Sequence, residues 1–316
     1  MKNFFLNISS LLITILIIVL FTEMTVRIVV DNGFNYELEM MKYAQKVKKL
    51  ETVNEQEIFL HKPNIDTTIM RTNVKTDLNG FRYNKKQKDN TKKIMLLGDS
   101  MTFGFGSNYT FADFLQEKLY NEYKILNTGV GNTNTTMQEK GFFEFHKKHN
   151  PNILVINFVI NDLEVIVPKK KNFIRNNLYS YTYINYKLTL LFLKLNKNHS
   201  YVDYYKQQYK NKKELSNVFN SLLKLNDYSV RNNIKFMVHF LPELRGLQDY
   251  QFTDEVNILK DFLNINKIRY IDGLKFFKDQ NEEDLWVSRL DPHANEKAHK
   301  IIGSYLLNYL NKEIFK

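Results

Sequence analysis

A short apolar segment that ends abruptly in a polar turn most constrains the fold of this 316-residue chain. Residues 94–97 are apolar, follow charged residues and precede Gly98-Asp99-Ser100. An apolar run of this length, bounded by turn residues, predicts a buried β-strand. Ser100 should then lie at the carboxyl end of that strand, where open α/β sheets bind ligands. Ser100 is therefore a candidate nucleophile, although Asp and Ser also form ordinary turns and helix caps.

Further apolar segments alternate with helical patterns along the rest of the chain. Apolar residues at helical spacing over 111–119 predict an amphipathic helix after Ser100. Four more strands are predicted, near residues 123–127, 152–160, 234–241 and 268–271. Such alternation predicts a parallel sheet covered by helices on both faces. We therefore expect a three-layer α/β/α domain over residues 91–316.

One segment, residues 165–211, interrupts this alternation. It contains Lys169-Lys170-Lys171, an apolar series at helical spacing and a run rich in Tyr and Lys. The apolar series consists of Leu178, Tyr181, Ile184, Leu188, Leu191 and Leu195. We predict a helical insertion at the edge of the sheet that carries Ser100. It could be a lid or a substrate groove, or an added helical pair with an ordinary apolar seam.

The first 30 residues predict a membrane segment. Residues 3–22 include no charged side chain, and a helix of about 20 such residues spans the roughly 30 Å hydrocarbon core of a bilayer. A cleaved signal peptide is the alternative, but bulky residues follow and provide no small-residue cleavage site. We expect an uncleaved signal anchor with a periplasmic or extracellular domain, although basic residues on both sides of the helix leave its orientation open.

Residues 31–90 are predicted to join the anchor to the first strand of the domain. Residues 34–49 are strongly charged and helical in pattern, which suits a stalk that lifts the domain off the membrane. Residues 61–82 have turn signals and little periodicity, so we expect them to wrap the domain as an irregular arm.

Composition excludes several kinds of site. The chain has no cysteine, so disulfides, thiolate metal sites and a cysteine nucleophile are impossible. The formal net charge of +11 could favour an anionic partner, but heavy use of Lys along the whole chain is an equally simple explanation. No nucleic-acid-binding motif accompanies the basic residues, so we expect no nucleic-acid partner.

A second polar motif, Asp291-Pro292-His293, lies near the C-terminus, between the last predicted strand and a final helical pattern. This position should return it to the same sheet edge as Ser100. Serine hydrolysis needs an imidazole that accepts the hydroxyl proton and a carboxylate that orients the imidazole. His293 and Asp291 can supply these two groups, although Asp-Pro-His alone is also an ordinary turn.

Two further residues could bind a developing oxyanion. Gly131 and Asn161 follow the two strands that come after the Ser100 strand. The Gly131 backbone amide and the Asn161 side-chain amide could join the Ser100 amide as donors. The alternative is that Asn161 forms a turn and that Gly131 supplies a positive backbone angle.

In this order the motifs resemble the four sequence blocks of the SGNH, or GDSL-type, hydrolase family. The blocks are Gly98-Asp99-Ser100, Gly131, Asn161-Asp162 and Asp291-Pro292-His293. The resemblance extends from Asn79 to the C-terminus. It is similar to a bacterial branch with an N-terminal membrane helix, whose members are often found with polysaccharide or cell-envelope acylation systems.

The resemblance implies a flavodoxin-like sheet, with Ser100 as nucleophile, His293 as base and Asp291 as the acid that orients the base. It also implies Ser100, Gly131 and Asn161 as oxyanion donors. The chain departs from the family pattern in two places. Many members have the acid three residues before the histidine, where this chain has Leu290, and Asn132 could take the place of the glycine of the second block. Asp99 is usually structural in the family, and Asp162 is assigned no catalytic role.

We therefore predict a membrane-anchored serine esterase that needs no metal or organic cofactor. Its expected substrate is an acyl ester, specifically acetyl, on cell-envelope or exported polysaccharide. The same residues would also suit a polysaccharide O-acyltransferase, if the insertion excluded water. A non-catalytic glycan-binding assembly subunit is a third possibility, although such a module has no need of Ser100, Asp291 and His293 together. A lipase or a thioesterase is also compatible with the sequence.

Overall fold

The computed structural model describes residues 2–83, 85, 87–89, 92–168, 172–195 and 200–315. The strands are β1 (Lys48–Val53), β2 (Gln56–His61), β3 (Asp66–Ile69), β4 (Thr72–Lys75), β5 (Lys93–Gly98), β6 (Lys124–Asn127), β7 (Ile153–Phe158), β8 (Lys235–Phe240), β9 (Tyr270–Asp272), β10 (Trp286–Ser288) and β11 (Asp291–Ala294). The helices are α1 (Lys2–Thr25), α2 (Tyr36–Lys46), α3 (Ser100–Phe103), α4 (Phe111–Lys118), α5 (Thr135–Gly141), α6 (Phe173–Asn177), α7 (Tyr179–Leu195), α8 (Tyr201–Lys210), α9 (Lys212–Arg231), α10 (Thr253–Ile265) and α11 (Glu296–Tyr309).

Five parallel strands form the central sheet in the order β6-β5-β7-β8-β9. This is the flavodoxin-like order, in which the chain changes direction across the sheet beside its first strand. The loops that follow β5, β6 and β7 therefore meet at one edge. The predicted α/β fold with a parallel sheet is confirmed, and each of the five predicted strands is present.

Alternate residues of the sheet face two separate cores. In β5, Ile94 and Leu96 pack in a core with residues of α4 and α11, while Met95 and Leu97 pack in a second core with residues of α9 and α10. Successive side chains of a strand point to opposite faces, so a strand covered on both faces must be apolar throughout. This explains the uninterrupted apolar run that precedes Ser100.

Helix α2 packs against this domain, contrary to the stalk expected at residues 34–49. Tyr43 and Val47 have no exposed surface and share a cluster with Phe103 and Phe105. One charged residue of the helix, Glu39, is also buried, where it accepts from the Met70 amide at 2.6 Å and pairs with Lys42 at 2.7 Å. The segment is therefore part of the domain rather than a stalk.

The segment expected to be an irregular arm contains regular structure. Within it β3 and β4 form an antiparallel hairpin, and β1 and β2 form a second hairpin just before it. Beyond them the buried Arg82 guanidinium donates to the carbonyl oxygens of Phe103, Gly104 and Ser107. The β3–β4 hairpin was missed because its four-residue strands are mostly polar and have no clear alternation.

The insertion contains α6, α7 and α8, and α7 covers the predicted apolar series from Tyr181 onward, whereas residues 165–168 have no regular structure. Lys169-Lys170-Lys171 lies outside the described residues. At the other end of the chain, Asn3–Val30 is a continuous helix long and apolar enough to cross a membrane, and its apolar window is not buried. A signal sequence has these same properties.

Candidate active site

The turn after β5 presents Ser100 at the carboxyl edge of the sheet. A Cβ atom at Gly98 would lie 2.0 Å from Oγ1 of Thr102, so only glycine allows this close approach. Asp99 caps α3 by accepting from the Met101 amide at 2.8 Å. Ser100 is the first residue of α3, where a backbone N–H has no acceptor within the helix. Its amide and its hydroxyl are thus both available at this edge.

The structure brings Ser100, His293 and Asp291 together. Ser100 Oγ lies 2.8 Å from Nε2 of His293, and Nδ1 of the same ring lies 2.5 Å from Oδ1 of Asp291. The backbone amide of His293 also donates to this Oδ1 atom, at 3.1 Å. Asp291 is almost fully buried, so its carboxylate is held in one orientation. This continuous pair of hydrogen bonds can pass a proton from the hydroxyl to the imidazole.

The Asp291 carboxylate stabilises the protonated form of the His293 ring. Burial lowers the pKa of His293, but the charge and hydrogen bond of Asp291 outweigh burial, so the pKa is raised above its ordinary value. The ring is thus a stronger base than a free histidine.

Asn161 also lies at this edge. Its Nδ2 atom is 3.3 Å from Oδ2 of Asp99. Burial raises the pKa of Asp99, against the opposing effect of the Met101 amide and the Asn161 side chain. Asp162 accepts from the Val159 amide at 2.8 Å and from the Gln138 side chain at 3.0 Å.

Gly131 lies in the loop after β6, but its amide already has an acceptor. The Gly131 N–H donates to Oη of Tyr43 at 2.8 Å. The next residue, Asn132, is exposed and has a φ of +57°, a left-handed conformation that favours glycine or asparagine. In this structure the Gly131 amide is therefore not free to bind an oxyanion, and Asn132 lies at the alternative position noted above.

The model of the GDSL-like lipase/acylhydrolase family matches residues 94–306, which is more than half of the chain. The chain belongs to this family. It is a GDSL-type hydrolase, an esterase. No curated protein matches the sequence at a significant level.

Solved structures similar to this GDSL hydrolase are distant in sequence. Axe2, an acetylxylan esterase from Geobacillus stearothermophilus, is 15% identical with a TM-score of 0.46, over 71% of this chain and 96% of that one. A lipase/acylhydrolase from Enterococcus faecalis is 14% identical with a TM-score of 0.44, over 70% of this chain and 95% of that one.

Two aromatic rings of the GDSL hydrolase pack against its candidate base. The Tyr36 ring stacks on the His293 ring at 6.2 Å between centroids and 24° between planes, and the Phe105 ring lies 5.4 Å from it. Tyr36 is the first residue of α2 and was not anticipated from the sequence. Both rings restrict the orientation of the imidazole and narrow the space beside it.

Buried polar side chains of the N-terminal segment form hydrogen bonds to the loop that follows β6. Oη of Tyr43 lies 2.6 Å from Nε2 of His61. Nζ of Lys48 donates to the Gly131 carbonyl oxygen at 2.7 Å and lies 3.7 Å from the centre of the Phe59 ring. Burial lowers the pKa of Lys48 to about 7 and that of His61 to about 3, so His61 is neutral. These residues lie outside the four sequence blocks.

Among the described residues, no group of three or more His, Asp or Glu side chains lies close enough to hold a metal ion. The candidate site of the GDSL hydrolase is thus built from Ser100, His293, Asp291 and Asn161, with supporting contacts from α2 and β1.

Proposed function

We propose that this protein is a membrane-anchored serine esterase that removes short acyl groups, specifically acetyl, from cell-envelope or exported carbohydrate. The observation that carries the proposal is the unbroken hydrogen-bond chain from Ser100 through His293 to Asp291. A structural turn needs no such chain, and a glycan-binding subunit has no use for it.

In the proposed mechanism, Oγ of Ser100 attacks the ester carbonyl carbon while Nε2 of His293 accepts the hydroxyl proton. Asp291 fixes the tautomer of the imidazole and stabilises the imidazolium. Collapse of the tetrahedral intermediate breaks the bond to the sugar oxygen, which takes the proton from His293. Water then attacks the carbonyl carbon of the acyl-enzyme while Nε2 of His293 accepts a proton from the water. Collapse of this second intermediate breaks the bond to Oγ of Ser100, which takes the proton from His293, so that the carboxylic acid is released and Ser100 is restored.

The oxyanion of the intermediate would be stabilised by the Ser100 amide and the Asn161 side chain. Asn161 Nδ2 is held near Ser100 by its contact with Asp99. Gly131 was the third expected donor, but its amide bonds to Tyr43. Gly131 could serve only if that bond opened, and the Asn132 amide is the alternative. Donors preorganised in this way are worth about a hundredfold or more in rate.

A short acyl group and a sugar are suggested by the surroundings of His293. The Tyr36 and Phe105 rings beside the imidazole leave little room for a long chain. Tyr205 of the insertion is close enough to Tyr36 to affect its ionisation, and the Arg245 guanidinium covers the neighbouring Tyr201 ring at 3.8 Å. Aromatic and basic side chains of this kind can stack on sugar rings and meet anionic groups.

The membrane anchor is proposed from α1. Its apolar side chains are exposed, and the chain continues into α2 of the folded domain without a small-residue cleavage site. We infer that α1 stays attached and that the domain lies in the periplasm or outside the cell.

The proposal is tested by hydrolysis of p-nitrophenyl acetate and octanoate by the full chain in detergent. Ser100→Ala and His293→Ala should each lose at least about 10³-fold in kcat, and Ser304→Ala, on an exposed position of α11, should match the wild type. Acetate should be cleaved faster than octanoate, and acetate should be released from an acetylated oligosaccharide. Equal rates in wild type and Ser100→Ala would refute the serine mechanism. Transfer of acetyl to an added sugar in preference to water would identify an acyltransferase instead.

A further inference from the structure

Helix α7 of the insertion has an apolar stripe with no protein against it among the described residues. Ile184, Leu188 and Leu191 lie at spacings of four and three residues, which places them on one side of a helix. They are 45%, 59% and 54% exposed. The opposite side of α7 packs on α2, where Thr182 Oγ1 lies 3.3 Å from Sδ of Met41. The stripe therefore points away from the domain.

The first turn of α7 is fixed against the end of the apolar helix α1. Glu23 accepts from the backbone amides of Tyr179 and Ser180 at 3.0 and 2.9 Å, and from the Ser180 hydroxyl at 2.6 Å. A carboxylate at a helix N-terminus satisfies free amides and opposes the helix dipole. Arg27 adds a hydrogen bond to the Asn177 carbonyl oxygen at 2.7 Å.

Glu23 and Arg27 also indicate where α1 would leave the hydrocarbon core of a bilayer. They are the first charged residues after Lys2, and the 20 residues between Lys2 and Glu23 match the thickness of a hydrocarbon core. The junction with α7 therefore lies where α1 leaves the bilayer. The apolar side chains of α1 up to Phe21 stay exposed, so α7 does not run back along α1.

We propose that α7 docks on the lipid surface from which α1 emerges, with Ile184, Leu188 and Leu191 inserted at the boundary between headgroups and acyl chains. The inference rests on the anchored topology proposed above. A helix with one apolar side next to the membrane exit of an anchor is suited to lie in this interface. Tyrosine, which favours this depth, occurs at positions 179, 181, 183 and 186 of the same helix.

The composition of the chain supports a lipid surface as the occupant of the stripe. The net charge of +11 attracts the chain to anionic headgroups. Docking would also fix the domain on the membrane, because α2 packs on α7 and carries Tyr36 to the His293 ring. The substrate would then be an ester presented at the membrane surface.

The absence of cysteine permits a direct test with the full chain. Single variants Leu188→Cys and Leu191→Cys are labelled with the fluorophore NBD and reconstituted in phosphatidylethanolamine and phosphatidylglycerol vesicles that contain acyl-chain spin-labelled lipid. Leu12→Cys in α1 reports the anchor. The matched controls are Thr189→Cys, exposed on the flank of α7, and Ile265→Cys, an exposed apolar position at the end of α10.

We expect blue-shifted emission and lipid quenching at positions 188 and 191, at least half as strong as at position 12, and less than one fifth as strong at 189 and 265. Quenching at 12 without quenching or blue shift at 188 and 191 would overturn the docking and leave the anchor standing. A blue shift at 188 and 191 without lipid quenching would also overturn it, because protein, such as a second copy of the chain, would then cover the stripe. No quenching at 12 would refute the anchor and the docking together, while the esterase assay would remain an independent test of the chemistry.

Discussion

The phenol oxygen of Tyr43 accepts the amide hydrogen of Gly131 at 2.8 Å. Lys48 bonds to the carbonyl oxygen of the same residue. The backbone N–H and C=O of Gly131 are thus both satisfied by α2 and β1, which precede β5 in the chain. The N-terminal segment is therefore a structural part of the candidate active site as well as the link to α1.

Replacement of Tyr43 by Phe should destabilise the protein by about 2–4 kcal/mol, because it leaves both the Gly131 amide and Nε2 of His61 buried without a partner. The measurement is urea unfolding of the full chain in detergent. Tyr209→Phe is the matched control, since Tyr209 is also buried but its hydroxyl has no partner among the described residues. Equal losses in the two variants would show that the Tyr43 hydrogen bonds contribute nothing.

Lys48→Met should change how stability depends on pH. Burial lowers the pKa of Lys48 to about 7, whereas an unfolded lysine titrates near about 10.4. Between these values the unfolded chain binds one more proton, so this lysine makes the folded state more stable as pH rises. The stability of the wild type relative to Lys48→Met should therefore rise by up to about 1.4 kcal/mol per pH unit between about pH 7.5 and 9.5.

The matched control for this change is Lys49→Met, because Lys49 lies next to Lys48 in β1 but is partly exposed and pairs with Glu51 at 2.9 Å. Unfolding of the three proteins is compared at several pH values. The Lys49→Met curve should run parallel to the wild type. A Lys48→Met curve that is also parallel would contradict a buried lysine at this site.

The rate of ester hydrolysis should follow the ionisation of His293. Because Asp291 raises the pKa of His293 above its ordinary value, the neutral base predominates only above that raised pKa, and kcat/KM should rise with pH through a value above about 6.5. Asp291→Asn should lower kcat by about 10⁴-fold and move the remaining pH dependence to lower pH. The pH profile of kcat/KM with p-nitrophenyl acetate measures both. An unshifted profile in Asp291→Asn would exclude Asp291 as the partner of His293.

Asn161→Ala should lower kcat by about 10²–10³-fold with a smaller change in KM, because the donor acts on charge that develops in the transition state. Steady-state kinetics with p-nitrophenyl acetate measure the effect. Asn132→Gly is the control, since it keeps the backbone amide and suits the left-handed conformation, and it should stay within about twofold of the wild type. A kcat for Asn161→Ala close to the wild type would remove Asn161 from the oxyanion site.

The sheet was predictable because its signal is local. The strands that precede Ser100 and Asn161 are covered on both faces and so contain apolar runs, at residues 94–97 and 153–156. The meeting of Ser100 with His293 followed from the rule that parallel strands gather their carboxyl ends at one edge. The roles of these residues stay predictions until the variants are measured.

The contacts of the N-terminal segment with the candidate active site were not predictable, because they join residues that are distant in the sequence. Tyr36 and Tyr43 lie in a charged helical stretch whose pattern is equally compatible with a free stalk, and only tertiary packing shows which face is buried. Lys48 has no local signal at all, since burial of a lysine is rare. The family resemblance implied that the Gly131 amide is an oxyanion donor. Its hydrogen bond to Tyr43 could not be foreseen, because Tyr43 lies some 90 residues earlier in the chain.

If α1 is the anchor proposed above, the stacking of Tyr36 on His293 limits how far the active site can lie from the membrane. Only five residues lie between Val30, the end of the apolar helix, and Tyr36, and the six residue-to-residue steps that join these two residues extend at most about 22 Å. With α1 in the bilayer, the reactive serine cannot follow a soluble substrate into the surrounding fluid. Turnover would then depend on the surface density of ester substrates and on their lateral diffusion along the membrane. Addition of lipid that carries no ester should therefore slow the reaction, even when the bulk concentrations of enzyme and ester are constant.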